Sequence, residues 1–81
     1  MTAEELEAVF YREPFQPFRL LLTDGEEILC RKPRKSLVSG DQIAVVGICR
    51  RGSDATVERL RMISVERVKS AEFVPPSAFL S

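Results

Sequence analysis

Three turn signals divide the chain beyond Pro17 and leave only short segments between them: Asp24-Gly25, Ser39-Gly40 and Arg51-Gly52-Ser53-Asp54. Short segments of alternating apolar and polar residues bounded by such turns read as β-strands. Phe18, Leu20 and Leu22 alternate with Arg19, Leu21 and Thr23, which gives a first strand with one apolar face. Asp24-Gly25 then reads as a hairpin, because both residues tolerate positive φ. A second strand starts at Glu26 with Ile28 and Cys30 on one face. Pro33 has no N–H to give a ladder, so a bulge or bend is expected near Lys32–Arg34, with the strand resuming through Leu37 and Val38. Gln42–Ile48 is apolar on both faces in places and reads as a central third strand. Thr56–Ile63 is the fourth, with Leu60 and Met62 expected inward and Arg59 and Arg61 outward. Ser64–Arg67 is a tight turn, and Val68–Val74 a fifth strand whose buried side is expected to carry Ala71 and Phe73.

The N-terminal segment follows a different period. Leu6, Val9 and Phe10 share one helical face. Thr2 and Glu5 form a capping box in sequence, and Glu4 and Glu5 complement the helix dipole. The helix is expected over about Ala3–Arg12, since the residue before Pro14 is pushed out of helical geometry.

Between helix and sheet lies Pro14-Phe15-Gln16-Pro17, which matches the PxxP pattern of polyproline ligands. The alternative is a docking joint, and the setting favours it. The segment is an ordinary connection in length, and its prolines lower the entropy lost on ordering. Leu6, Val9, Phe10, Phe15 and Phe18 are then the anchors that pin the helix to the sheet. Each buried phenylalanine is worth roughly 1.5–3 kcal/mol, a large share of what so small a domain has.

With 81 residues the chain makes a single domain, with helix over 3–12, barrel over 18–74 and a short tail over 75–81. Twelve acids balance twelve bases, which disfavours a dedicated nucleic-acid binder. The balance is uneven along the chain. Seven acids against two bases fall in residues 1–29, and ten bases against five acids fall in the rest. No N-terminal apolar run reads as a signal peptide, and the apolar stretch at 43–49 is too short to cross a bilayer. A cytoplasmic protein with reduced thiols is expected, without a membrane partner.

One helix followed by five short strands, the second long and bent, resembles the Sm-like variant of the SH3-like barrel. Residues 18–28, FRLLLTDGEEI, look like the first Sm hairpin, and residues 62–72, MISVERVKSAE, are placed like the closing Sm segment. The family's RNA-binding loop carries an Asp and a Met-Asn pair, where this chain has Ser36–Asp41. The closing segment lacks the family's Arg-Gly pair, so the RNA-binding residues do not carry over. The chain also resembles a set of small uncharacterised bacterial proteins with a short N-terminal helix, REPFxPFR and a strand ending in (T/S)DG. Arg12–Arg19 and Thr23–Gly25 carry that likeness.

Candidate chemistry is sparse. Histidine is absent, and the two cysteines, Cys30 and Cys49, are far apart, so neither a usual zinc site nor histidine acid–base catalysis can be built. No cofactor and no small-molecule substrate are indicated, and the chain is read as a non-enzyme. Asp24, Glu26 and Glu27 at the hairpin read as turn-formers and solvated charge. Arg31, Lys32, Arg34 and Lys35 flank Pro33 and are the candidate contacts for an anionic partner, against the alternative of a solvated loop. No aromatic lies within that run to stack a base. Arg50 and Arg51 are expected near the acids of the first hairpin. The cysteines face each other if the second and third strands pair squarely around Ser39-Gly40, and a bulge at Pro33 separates them. Two buried free thiols are the favoured reading.

A protein-interaction or self-association module is therefore expected, either a homo-oligomer or one partner of another protein. Its motives are the small core, the split of charge and the apolar tail Ala78-Phe79-Leu80. The alternative is an Sm-like ring-forming RNA binder that uses the 31–35 run.

Overall fold

The computed structural model describes residues 1–50 and 57–75. Within them the chain is mainly β, with one short helix and a curled antiparallel sheet shaped as a half-barrel. The helix α1 spans Ala3–Phe10 and ends at Tyr11, whose N–H donates to the Glu7 carbonyl at 2.9 Å. Its capping box is complete: the Glu5 N–H donates to the Thr2 hydroxyl at 3.1 Å, and the Thr2 N–H donates to the Glu5 carboxylate at 2.9 Å. The helix stops two residues short of the expected Arg12, ahead of a cis Glu13–Pro14 peptide bond.

Six strands follow: β1 Phe18–Leu22, β2 Glu27–Cys30, β3 Ser36–Ser39, β4 Gln42–Arg50, β5 Val57–Ser64 and β6 Val68–Phe73. A 3-10 turn, Val65–Arg67, links the last two. The expected long bent strand is thus two strands, so the count is six rather than five. Both pair with the same edge of β4, but in different registers. From the Leu29–Ile48 pair to the Ser36–Val45 pair, seven residues advance on one side against three on the other. The excess is looped out at the bend, where Arg34 has φ +62°. That offset parts the cysteines, since Cys49 lies opposite Ile28. Both are buried and free.

In the first hairpin only Gly25 takes positive φ, at +92°. Asp24 instead stabilises the turn with its carboxylate, which accepts from the Glu26 N–H at 3.0 Å. This is the arrangement of a type I turn closed by a glycine bulge.

The core gathers on the concave side. Phe18, Leu20 and Leu22 of β1, Ile28 and Cys30 of β2, Ile43, Val45 and Cys49 of β4, and Ile63, Val65 and Val68 are buried. Leu6 and Phe10 of α1 complete it, with Val9 and Phe15 packed against them. The Phe10 and Phe18 rings stack at 5.1 Å, and Phe15 meets Phe18 edge-on at 6.2 Å. Gly47 is needed at the heart of β4. A Cβ there would stand 2.6 Å from the Leu29 carbonyl oxygen and 2.9 Å from Ile28.

The phase of β5 is the reverse of the expected one. Leu60 and Met62 are 63% and 61% exposed, whereas Ile63 is buried at 2%. The cause is cross-strand register. Ile43 pairs with Ile63 and Val45 with Arg61, so the side of β5 that follows the core face of β4 carries Ile63, Arg61 and Arg59. Arg61 is accommodated by the Glu26 carboxylate at 2.5 Å, on side chains exposed by 25% and 13%. On β6, Ala71 packs against the core opposite Leu20. Phe73 lies opposite Phe18 but is 37% exposed at the sheet margin, with the Arg12 guanidinium over its ring. The loop Arg51–Asp54, Thr56 and the tail with Ala78, Phe79 and Leu80 lie outside the described residues.

Two substitutions test this packing. Gly47→Ala should overpack the β2–β4 contact and cost about 1–3 kcal/mol. That is a fall of roughly 5–20 °C in Tm for a domain of this size. Phe10→Ala, which opens a cavity beside Phe18, should cost about 3–5 kcal/mol. Calorimetry showing either variant as stable as the parent would contradict the packing described.

Candidate functional site

Two surfaces of the half-barrel stand out. The first is its convex face. On β4 the residues that alternate with the core set are Ala44, Val46 and Ile48, all half-buried. Leu37 of β3 and Met62 of β5 flank Ala44, and Leu60 lies opposite Val46. Leu37 is 49% exposed, so three long apolar side chains stand in solvent on adjoining strands. Scattered exposed leucines are normal, but an apolar cluster on neighbouring strands marks an interaction surface.

Elsewhere the same face is ionic. Arg31 pairs with Glu58 at 3.5 Å, and Arg19 pairs with Glu72. Glu27 lies opposite Arg50. Neither Arg50 nor Asp24 lacks interactions, and Asp24 also accepts from Arg67 at 3.2 Å. Arg50 thus stands beside a hairpin acid as expected, while Arg51 lies outside the described residues. These exposed pairs contribute little stability singly, about 0–1 kcal/mol each.

The second surface is a groove of about 590 Å³ where α1 and its connector meet the bend between β2 and β3. Phe10, Tyr11, Arg12, Glu13, Pro14 and Phe15 line one side, Pro33 and Arg34 the other. Tyr11 donates no strand edge to a partner. Its hydroxyl instead accepts from the Val38 N–H at 3.0 Å, which covers part of the open edge of β3. Of the four cations proposed for an anionic partner, Arg31 is engaged by Glu58. Among the described residues Lys32, Arg34 and Lys35 form no ion pair, and all three are exposed. The expected anchors Leu6, Phe10 and Phe18 lie in the core, and Val9 and Phe15 at its border. The groove joins two segments far apart in sequence, so no local pattern could announce it.

Cys30 carries the most perturbed acid–base equilibrium. Burial pushes its thiol from the ordinary 9.0 up to about 12. Ser36 offsets a little of that rise, although its buried hydroxyl closes no hydrogen bond of ordinary geometry. A thiol so strongly protonated is a poor nucleophile. Among the described residues no three Cys, Asp or Glu side chains assemble to hold a metal ion, and no helix is long and apolar enough to cross a membrane.

No family model, no curated protein and no solved structure matches this chain.

The Cys30 thiol links stability to alkaline pH. Its folded pKa lies above the unfolded one, so the folded state holds the proton that the unfolded chain releases. Stability should therefore be unaffected by this group below about pH 9 and be lost progressively as pH rises toward 12. Urea midpoints at neutral pH and at a pH between these two values should fall further apart for the parent than for Cys30→Ala. Equal alkaline losses in both would contradict a buried, neutral thiol.

Proposed function

We propose that the chain is a non-enzymatic interaction module, a small barrel of the SH3-like or Sm-like kind, that self-associates through its convex sheet face. The observation that carries this reading is the cluster of Leu37, Leu60 and Met62 in solvent beside Val46 and Ala44. Two further features support it. The Arg31–Glu58 and Arg19–Glu72 charges of this face are paired within the chain, so these pairs oppose no second copy. A domain this small has little core, and association is a common way to add buried apolar area.

The barrel type is supported by strand order. β2 and β3 share one edge of β4, β1 pairs with β2, and the closing strand β6 follows a 3-10 turn and returns to β1. An RNA-binding ring is the second reading, favoured by Lys32, Arg34 and Lys35 at the bend, which form no ion pair among the described residues. In that reading association and nucleic-acid binding go together.

Light scattering coupled to size exclusion, with absorbance at 260 nm, separates these readings. Self-association through the convex face gives a mass of two or more chains. Replacing Leu60 and Met62 by Glu should reduce it to that of one chain without unfolding, since both side chains are exposed. A monomeric parent would contradict the proposal. A ring-sized mass with strong 260 nm absorbance, lost at high salt, would favour the RNA-binding reading.

A further inference from the structure

The groove between the connector and the bend differs from the convex face in chemistry, and no part of the preceding proposal uses it. One wall carries Tyr11, Pro14 and Phe15 together with Arg12 and Glu13, and the other begins at Pro33. It ends in a guanidinium held in an uncommon way. Arg34 sits at φ +62°, a conformation that L-residues other than Asn and Asp rarely adopt. Such backbone outliers persist where the surroundings over-determine them, and they concentrate at ligand clamps. Lys32 and Lys35 flank it, exposed and without an ion pair among the described residues.

We propose that this groove is a docking site for a short acidic segment of a partner protein that carries an aromatic residue. The ring lies against Pro14, Phe15 and Pro33, and the carboxylates meet Arg34, Lys32 and Lys35. The volume, about 590 Å³, suits a few side chains and lies within the usual range for ligand pockets. Among the described residues the charged lining is Arg12, Arg34 and Glu13, two bases against one acid, and Glu58 holds Arg31 on the sheet side. A nucleic-acid strand needs a basic track longer than this and a series of stacking rings. A short acidic segment needs only the local patch. Recognition would run through side chains rather than added strand pairing, because the Val38 N–H on the neighbouring edge is already taken by Tyr11.

Arg34→Gly is the decisive variant. Glycine adopts φ +62° freely, so the fold is kept while the guanidinium is removed. The measurement is fluorescence polarisation with a fluorescein-labelled peptide of glutamates around a single phenylalanine. Controls are the all-glutamate peptide and a labelled oligouridylate. The expected result is binding of the phenylalanine peptide that weakens with salt and exceeds that of both controls. In Arg34→Gly it should drop at least about tenfold, while Tm stays level or rises. The Leu60 and Met62 variant, altered on the other surface, should bind the peptide as the parent does. Absence of binding at about 1 mM protein, undiminished binding by Arg34→Gly, or preference for the oligonucleotide would each overturn the assignment.

Discussion

The stacked pair of Phe10 and Phe18 is the contact on which the rest of the molecule depends. Phe18 opens β1 and is fully buried, and Phe10 closes α1 at 4% exposure. Their rings, 5.1 Å apart, tie the only helix described to the strand that stands between β2 and β6. Phe15 adds an edge-on contact from the connector. Without this cluster the concave side of a half-barrel would stand open to water, since a curled sheet alone cannot cover its own apolar face. The same docking places Tyr11 on the edge of β3 and brings the connector against the bend. The groove is therefore a by-product of closing the core, which explains why apolar rings and the charged groups of Arg12, Glu13 and Arg34 share its walls.

Features set by a few neighbouring residues were legible in the sequence. The Thr2–Glu5 capping box, the Gly25 turn, and the inward phases of β1 and β2 all follow from local pattern. The anchors of the helix were legible as well, because helical spacing and the Pro-Phe-Gln-Pro-Phe run point to the same joint. The phase of β5 was not. Leu60 and Met62 alternate with Arg59 and Arg61, and burying the leucine and methionine is the better choice for an isolated strand. The decision is made elsewhere, by the pairing of Ile63 with Ile43 and by Glu26, which receives Arg61 from across the barrel. The division of one bent strand into two also eluded the pattern, since Pro33 signals a break but not the amount of chain looped out.

That reversal of β5 has the largest functional consequence. Had Leu60 and Met62 faced inward, the convex face would be an ordinary mixed surface. With them outward, the sheet has two apolar sides, one closed by the helix and one exposed among the described residues. In the proposed association a second copy covers that patch. The basic bend reaches both surfaces: Arg31 pairs with Glu58 and the Lys35 carbonyl accepts from the Val46 N–H at 2.8 Å, whereas Pro33 and Arg34 line the groove.

Hydrogen–deuterium exchange at two protein concentrations tests the central claim most directly. If the convex face joins two copies, amides of β5 and β4 should exchange more slowly in the concentrated sample, while those of the 31–35 bend stay unchanged. Exchange in β4 and β5 that is independent of concentration, across a range where the bend and the helix also show no change, would contradict association through this face.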